Sequence, residues 1–150
     1  MTGSKAPKVD QLLTYRIHAL NKLTERGVSE RYQIKAGVTL PEARVVQAVG
    51  TFGPFSIMNL ARHANLDKSQ ASRAADALIQ RGLLQRHASP EDGRVVLVSL
   101  TSEGLQIFRK LVPLARKWNE ELVSTLSETE RAALNRALDK VLAHARGLVE

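Results

Sequence analysis

The chain has no cysteine, which excludes disulfides, thiolate metal sites and cysteine-based redox sensing together. Any switch it carries must answer to a ligand, a proton or a metal held by other groups. The first residues, Met1 to Lys8, hold no apolar core of the length that a secretory signal requires. The longest uncharged run, Val45 to Ala61, is broken by Gly50, Gly53, Pro54 and several polar residues and falls short of the roughly 20 predominantly apolar residues needed to cross a bilayer. The expectation is a soluble, cytoplasmic protein with a short disordered start over residues 1–8. Internal repeats and low-complexity segments are also missing, as are an HExxH helix, a Gly-rich phosphate loop and a nucleophile elbow. His18, His63, His87 and His144 show no metal-ligand spacing. Glu120–Glu121 and Glu128–Glu130 read as helix charges rather than an acid pair. Neither catalysis nor a cofactor is expected.

What is present begins with charge. The 150 residues suffice for one domain with a real core. Their net charge of +7 favours a polyanionic partner, although a solvated basic surface gives the same total. Seven basic residues stand against three acidic over 1–40, seven against five over 41–101, and eight against seven over 102–150. With no basic tail, contact with a polyanion must work through placed side chains.

Apolar residues recur at Val9, Leu12, Leu13, Ile17, Leu20 and Leu23, the spacing of one broad helix face. Gly27 is a point where that helix either breaks or continues, and Gly37 has the place of a C-cap. Thr39-Leu40-Pro41-Glu42 predicts a capping box and a second helix that turns Val45, Val46 and Val49 inward and ends between Gly50 and Pro54. Ser56 caps a short third helix, Ile57 to Ala64, with Ile57, Leu60 and Ala61 on its apolar side. After Asn65-Leu66, Asp67 with Gln70 makes a second capping box and opens a fourth helix over about 68–81, before Gly82. Two short helices joined this tightly read as helix-turn-helix. Ala71, Ala74, Ala75 and Ala77 let the second approach its supports, with Leu78 and Ile79 as anchors.

Past Gly82 the period changes to two. Leu84–Ala88 and Arg94–Leu100 flank a Pro-Glu-Asp-Gly turn and predict a two-stranded wing over about 84–100, with Val96, Val98 and Leu100 on one face. Thr101 caps a long helix through Leu105, Phe108, Leu111, Ala115, Trp118 and Leu122, in which Pro113 is a possible kink. Ser127 with Glu130 caps the last, whose Leu134, Leu138, Val141, Leu142, Ala145 and Leu148 share one face. The fold class is mainly α with a small β-wing, and residues 9–150 form a single domain. In it a winged helix-turn-helix lobe at 39–101 is flanked by helices at 9–38 and 102–150. Those helices carry more apolar surface than the compact lobe can cover, so they predict a dimerisation module. A two-fold dimer would present its recognition helices roughly 34 Å apart and read a pseudo-palindrome.

A capped polar helix followed by an arginine-bearing hairpin is the order a winged reader of DNA requires. Lys68, Ser69, Gln70, Ser72 and Arg73 occupy the first turns of the fourth helix. Arginine can bridge guanine O6 and N7, and glutamine adenine N6 and N7, each pair worth about 1–3 kcal/mol of discrimination. Lys68 reads as a phosphate contact that sets affinity more than sequence choice. It stays open whether Gln70 only completes its capping box and Ser72 only faces solvent. In the wing, Asp92 can hold the Arg94 guanidinium in a charge-assisted pair, the alternative being a surface ion pair of little consequence. Arg86 and Arg62 are weaker candidates for phosphate.

These residues converge on a known pattern. Asp92-Gly93-Arg94 followed by Val98-Ser99-Leu100-Thr101 and Gly104, Ser72-Arg73 in the fourth helix, Gly82-Leu83 before the wing, and Leu126-Ser127 with Glu130 resemble the MarR family of bacterial transcription regulators. The resemblance covers roughly residues 10–148. It implies an α-helical homodimer with winged lobes on a double-stranded operator, repressing a nearby catabolic, resistance or virulence-related operon and released by a small phenolic or aromatic-carboxylate ligand. It also implies that Arg94 enters the minor groove, whose negative potential attracts it, with Asp92 in support. The chain departs from the family in its alanine-rich fourth helix and in lacking the cysteine of oxidant-sensing members. The second departure argues against peroxide sensing.

For such a ligand, Tyr15, His18 and Lys22 fall with Gln11 within about 60° of arc, away from the leucine stripe of the first helix. An aromatic, an imidazole and an ammonium on one stripe can hold an aromatic acid, and Tyr32, Arg44 and Phe52 can line the same cleft. A solvated polar face is the alternative. Two other functions compete: a ligand-independent DNA-binding or architectural protein whose helices only dimerise, and a small-molecule carrier with a vestigial reader.

Overall fold

The computed structural model describes residues 6–150. It divides into two compact units, one running to Ala115 and the other from Arg116 to Glu150. The expected disordered start falls mostly on residues 1–5, outside the described residues; Ala6 to Lys8 are exposed and belong to neither helix nor strand.

In the first unit a short 3-10 turn, Val9–Gln11, leads into α1 (Leu13–Ala36), which passes through Gly27 without a break. It stops at Gly37, whose φ of 66° lies in the left-handed region that glycine adopts without strain. The Gly37 N–H donates to the Gln33 carbonyl at 3.0 Å and satisfies one of the last helical acceptors. α2 (Leu40–Phe52) is the central element, burying Ala43, Val45, Val46, Ala48 and Val49. Its predicted capping box is only half made. The Thr39 hydroxyl accepts from the Glu42 N–H at 3.4 Å, but the Glu42 carboxylate accepts from that hydroxyl at 2.9 Å and from Arg81 at 2.8 Å. A guanidinium is a stronger donor than the neutral N–H the box would have used.

α3 (Ile57–His63) starts at the Ser56 cap, and α4 (Lys68–Gln80) at a capping box in which Asp67 and Gln70 satisfy each other's N–H. Asn65 makes the bend between them at φ 53°, a conformation that asparagine tolerates better than most residues. α4 turns Ala71, Ala74, Ala75 and Leu78 inward and packs on α2 and α3. Ala77 and Ile79 are half-buried. Leu60 and Leu78 are fully buried, each contributing about 1.5–3 kcal/mol of transfer free energy.

The wing contains one strand more than the sequence predicts. β1 (Phe55–Ser56), β2 (Leu84–Ala88) and β3 (Val96–Leu100) form an antiparallel sheet in the order β1-β3-β2. Val98 sits at its centre, opposite Phe55 on one side and Arg86 on the other, and is completely buried. A two-residue strand that follows Pro54 and ends on the helix cap Ser56 has no period to detect. The second wing strand also begins at Val96 rather than at Arg94, because Ser89–Val95 is a hydrogen-bonded loop.

α5 (Ser102–Val123) begins at Thr101, whose hydroxyl accepts from the Gly104 N–H at 3.1 Å and donates to the Gly82 carbonyl at 2.6 Å. It continues through Pro113. In the second unit the rest of α5 turns into α6 (Glu128–Val149), which opens on a complete Ser127–Glu130 capping box. Arg131 donates to Glu120 at 3.1 Å across that hairpin. α6 buries none of its side chains, and Leu134, Leu138, Val141, Leu142 and Leu148 stand exposed. In the first unit the same holds for Leu12, Leu13, Ile17, Leu20 and Leu23, although Val28, Tyr32 and Ala36 near the end of α1 are buried. Among the described residues no helix is long and apolar enough to cross a membrane.

Candidate nucleic-acid interface

α4 buries one face against α2 and α3, and helical geometry therefore turns Ser69, Arg73, Asp76 and Gln80, three or four residues apart, to solvent as one row. The Arg73 guanidinium donates to the Ser69 hydroxyl at 2.6 Å, which holds its long side chain over the first turn instead of leaving it to sweep. Lys68 and Gln70 are exposed, and Ser72 is half-buried at the edge of the row. The side-chain carbonyl of Gln70 accepts from the Asp67 N–H at 3.4 Å, so its capping role is real. Its amide N–H groups remain as donors toward a base edge.

The wing tip is built differently from the sequence reading. Asp92 does not grip the Arg94 guanidinium; its carboxylate accepts from the Arg94 backbone N–H at 3.0 Å. This is the short-range turn that aspartate forms readily, because its carboxylate reaches the N–H two residues on and stands in for a backbone acceptor. The Ser89 hydroxyl accepts from the Glu91 and Asp92 N–H groups at 3.3 and 3.5 Å, and the Ser89 N–H donates to the Val95 carbonyl at 2.8 Å. The loop is thus ordered by the Ser89 and Asp92 side chains together with its own backbone, and among the described residues no carboxylate pairs with the Arg94 side chain.

Three acidic residues change the electrostatics of the lobe. Asp76 accepts from Arg86 of β2 at 2.7 Å, tying the wing to α4 and occupying a cation that the sequence offers to phosphate. Glu42 similarly holds Arg81, and Glu25 holds Arg44 at 3.2 Å. Of the seven cations between residues 41 and 101, these three are paired, leaving Arg62, Lys68, Arg73 and Arg94 as the uncommitted positive charges of the lobe among the described residues. Asp76 is legible in outline, since it follows Arg73 by three residues on the same helix face. Its partner Arg86 lies ten residues away in another element and is not legible.

Beside α4 runs a cleft of about 240 Å³ lined by Thr39, Pro41, Glu42, Gln70, Arg73, Ala74 and Ala77. The residues expected to hold an aromatic acid occupy three other settings. Tyr15, His18 and Lys22 stand on the open face of α1. Tyr32 is buried, its hydroxyl accepting from Gln47 at 3.3 Å, and Arg44 pairs with Glu25. Phe52 is exposed and tilted against His63 at 5.5 Å, which stacks in turn on Phe55 at 4.5 Å. At 1.5 Å per residue Phe52 lies about 12 Å along α2 from Arg44. Among the described residues no group of three or more His, Cys, Asp or Glu is placed to hold a metal.

Comparison with known proteins matches residues 36–95 to the MarR family model, a span that takes in α2 to α4 and the wing tip. The transcriptional repressor IacR of Pseudomonas putida is 30% identical over 112 residues, covering 75% of this chain and 67% of that one. A mutant of MarR from Escherichia coli, solved with operator DNA, is 27% identical, with a TM-score of 0.74 over 87% of this chain and 93% of that one. The PcaV regulator of Streptomyces coelicolor, solved with its natural ligand, superposes with a TM-score of 0.74 over 94% of this chain and 99% of that one, at 22% identity.

Proposed function

Given that the chain belongs to the MarR family of DNA-binding transcription regulators, which are not enzymes, we propose that it is a dimeric repressor released from a pseudo-palindromic operator by a small aromatic acid or phenol. The observation that carries this reading is the conjunction, in one lobe, of a uniform outward row on α4 with two uncommitted arginines, Arg73 and Arg94. Lys68, Ser69, Gln70 and Ser72 complete the base- and phosphate-facing set, Asp92 shapes the wing tip, and Arg86 joins once freed from Asp76. Residues 9–38 and 102–150 supply the dimer contact. Exposed leucines along α1 and α6 support it, because an uncovered apolar stripe of that length favours a second copy in water.

IacR is a transcriptional repressor, and ligand control is suggested by PcaV, which was solved with its natural ligand. For this chain the aromatic class follows from Tyr15, His18 and Lys22 on one face of α1. Covered by a partner, that face would offer a ring to stack on and two donors for a carboxylate. The ligand must favour one separation of the two recognition helices over another, since equal affinity for both shifts nothing.

The test begins with duplexes selected from a randomised pool by the purified protein. An inverted repeat with half-sites about 10 base pairs apart is expected. Benzoate, salicylate and related acids are then titrated into the complex. Release by at least one, with heat of binding to the free protein, is the expected result. Selection of an inverted repeat with neither release nor heat would leave a ligand-independent DNA-binding protein. Duplex binding unchanged by Arg73→Ala with Arg94→Ala would leave a carrier with a vestigial reader.

A further inference from the structure

We propose that Arg81 and Glu42 form a tether that sets the pose of α4 on DNA, acting as positioning residues for operator binding without touching the operator. The proposal rests on α4 being the DNA-reading helix. Arg81 is the C-cap residue of α4, and its fork donates to Glu42 Oε2 at 2.8 Å and to the Gly37 carbonyl at 2.9 Å. Glu42, in the first turn of α2, is the one charged residue buried among those described, and its other oxygen accepts from the Thr39 hydroxyl at 2.9 Å. A buried carboxylate is far more costly unpaired than paired, so Arg81 is held in place by the charge it neutralises.

Gly37 is the left-handed cap of α1, and α1 is fastened to α2 by Glu25–Arg44 at 3.2 Å and by Gln47 donating to Tyr32 at 3.3 Å. The C-terminal end of α4 is therefore clamped to the corner where α1 ends and α2 begins. Its other end, Lys68 to Arg73, is the one presented outward. Arg73 lies about 12 Å along the axis from Arg81, so a tilt of about 10° at the clamp displaces it by about 2 Å. A bidentate contact to guanine does not survive a shift of that size. A contact to phosphate, which a flexible side chain can follow, does.

The signature of a tether is therefore lost specificity at constant non-specific affinity. The probes are a duplex selected by the wild type from a randomised pool and a duplex of scrambled sequence. Both are titrated across a salt series below each variant's unfolding temperature. Arg81→Met is expected to lower the ratio of selected to scrambled affinity about tenfold or more, with the salt slope on scrambled DNA unchanged. Arg81→Lys should recover part of that ratio, since an ammonium reaches Glu42 but cannot fork to Gly37. Glu42→Gln combined with Arg81→Met should be no worse than Arg81→Met alone, as expected of two residues acting as one unit.

A salt slope reduced by about 0.9 in Arg81→Met would mean a direct phosphate contact and overturn the proposal. So would additive losses in the double variant, or a fall in thermal stability with the specificity ratio intact. If Arg81→Met does not fold, Glu42→Gln and Arg81→Lys decide: unchanged ratios in both refute the tether. A wild type that selects no sequence overturns the reader on which the tether depends.

Discussion

Replacing Gly104 by alanine sets two elementary effects against each other. Gly104 lies in the first turn of α5, where helix propensity alone makes alanine more stable than glycine by about 1 kcal/mol. The added Cβ, however, would overlap the Leu83 backbone carbonyl and lie 3.3 Å from Leu100 Cδ2. The obstacle is main chain and cannot rotate away. The Gly82–Leu83 corner is also held by α5 itself: the Thr101 N–H donates to the Leu83 carbonyl at 3.1 Å and its hydroxyl to the Gly82 carbonyl at 2.6 Å. Relief requires α5 to retreat and stretch both bonds, each worth about 1 kcal/mol net, beyond an overpacking cost of about 1–3 kcal/mol. Less the propensity gain, the expected destabilisation is about 2–4 kcal/mol, which in a chain of this size lowers Tm by roughly 5–15 °C. Thermal and urea unfolding at one fixed protein concentration measure it, since Tm depends on concentration if the protein dimerises. An unchanged urea m-value would show that stability alone has moved. Gly147 is the internal comparison, lying in α6 with no atom within 4 Å of an added Cβ, and Gly147→Ala should be neutral or stabilising. A Gly104→Ala protein as stable as the wild type would refute the close approach of α5 to the Gly82–Leu83 corner.

Three further outcomes follow from the charges and caps. Asp76→Asn should leave stability within about 1 kcal/mol, because the Arg86 pair is roughly half-exposed at both ends. It should nevertheless steepen the salt dependence of DNA binding by about 0.9 as Arg86 is freed for phosphate, a change that titrations across a salt series resolve. A constant slope would put Arg86 off the backbone. Arg94→Ala should reduce that slope by about 0.9, whereas Asp92→Ala, which removes only an acceptor for the Arg94 backbone N–H, should leave it unaltered; equal losses would contradict the wing-tip geometry. Ser127→Ala should cost about 1 kcal/mol by uncapping α6, as read by urea unfolding, and Ser127→Asp should restore it, because aspartate caps as well as serine.

The parts of this protein that the sequence determined by itself are those whose chemistry closes within a few residues. Ser56, Asp67 and Ser127 cap helices because each hydroxyl or carboxylate reaches an N–H three residues on. Gly37 ends α1 because only a left-handed residue completes that turn, and Gly27 does not interrupt it because one glycine costs about 1 kcal/mol against a long helix. The apolar periods of α1 and α6, and the polar row of α4, are legible for the same local reason. Tertiary structure alone decided the rest. Glu42 finds Arg81 across 39 positions in place of its local N–H, and Arg86 finds Asp76 in place of solvent. The two-residue strand β1 exists only because β3 pairs with it. In each case several partners satisfy the same group equally well on paper. The choice between them belongs to the packing that brings one within 3 Å and leaves the others out of reach.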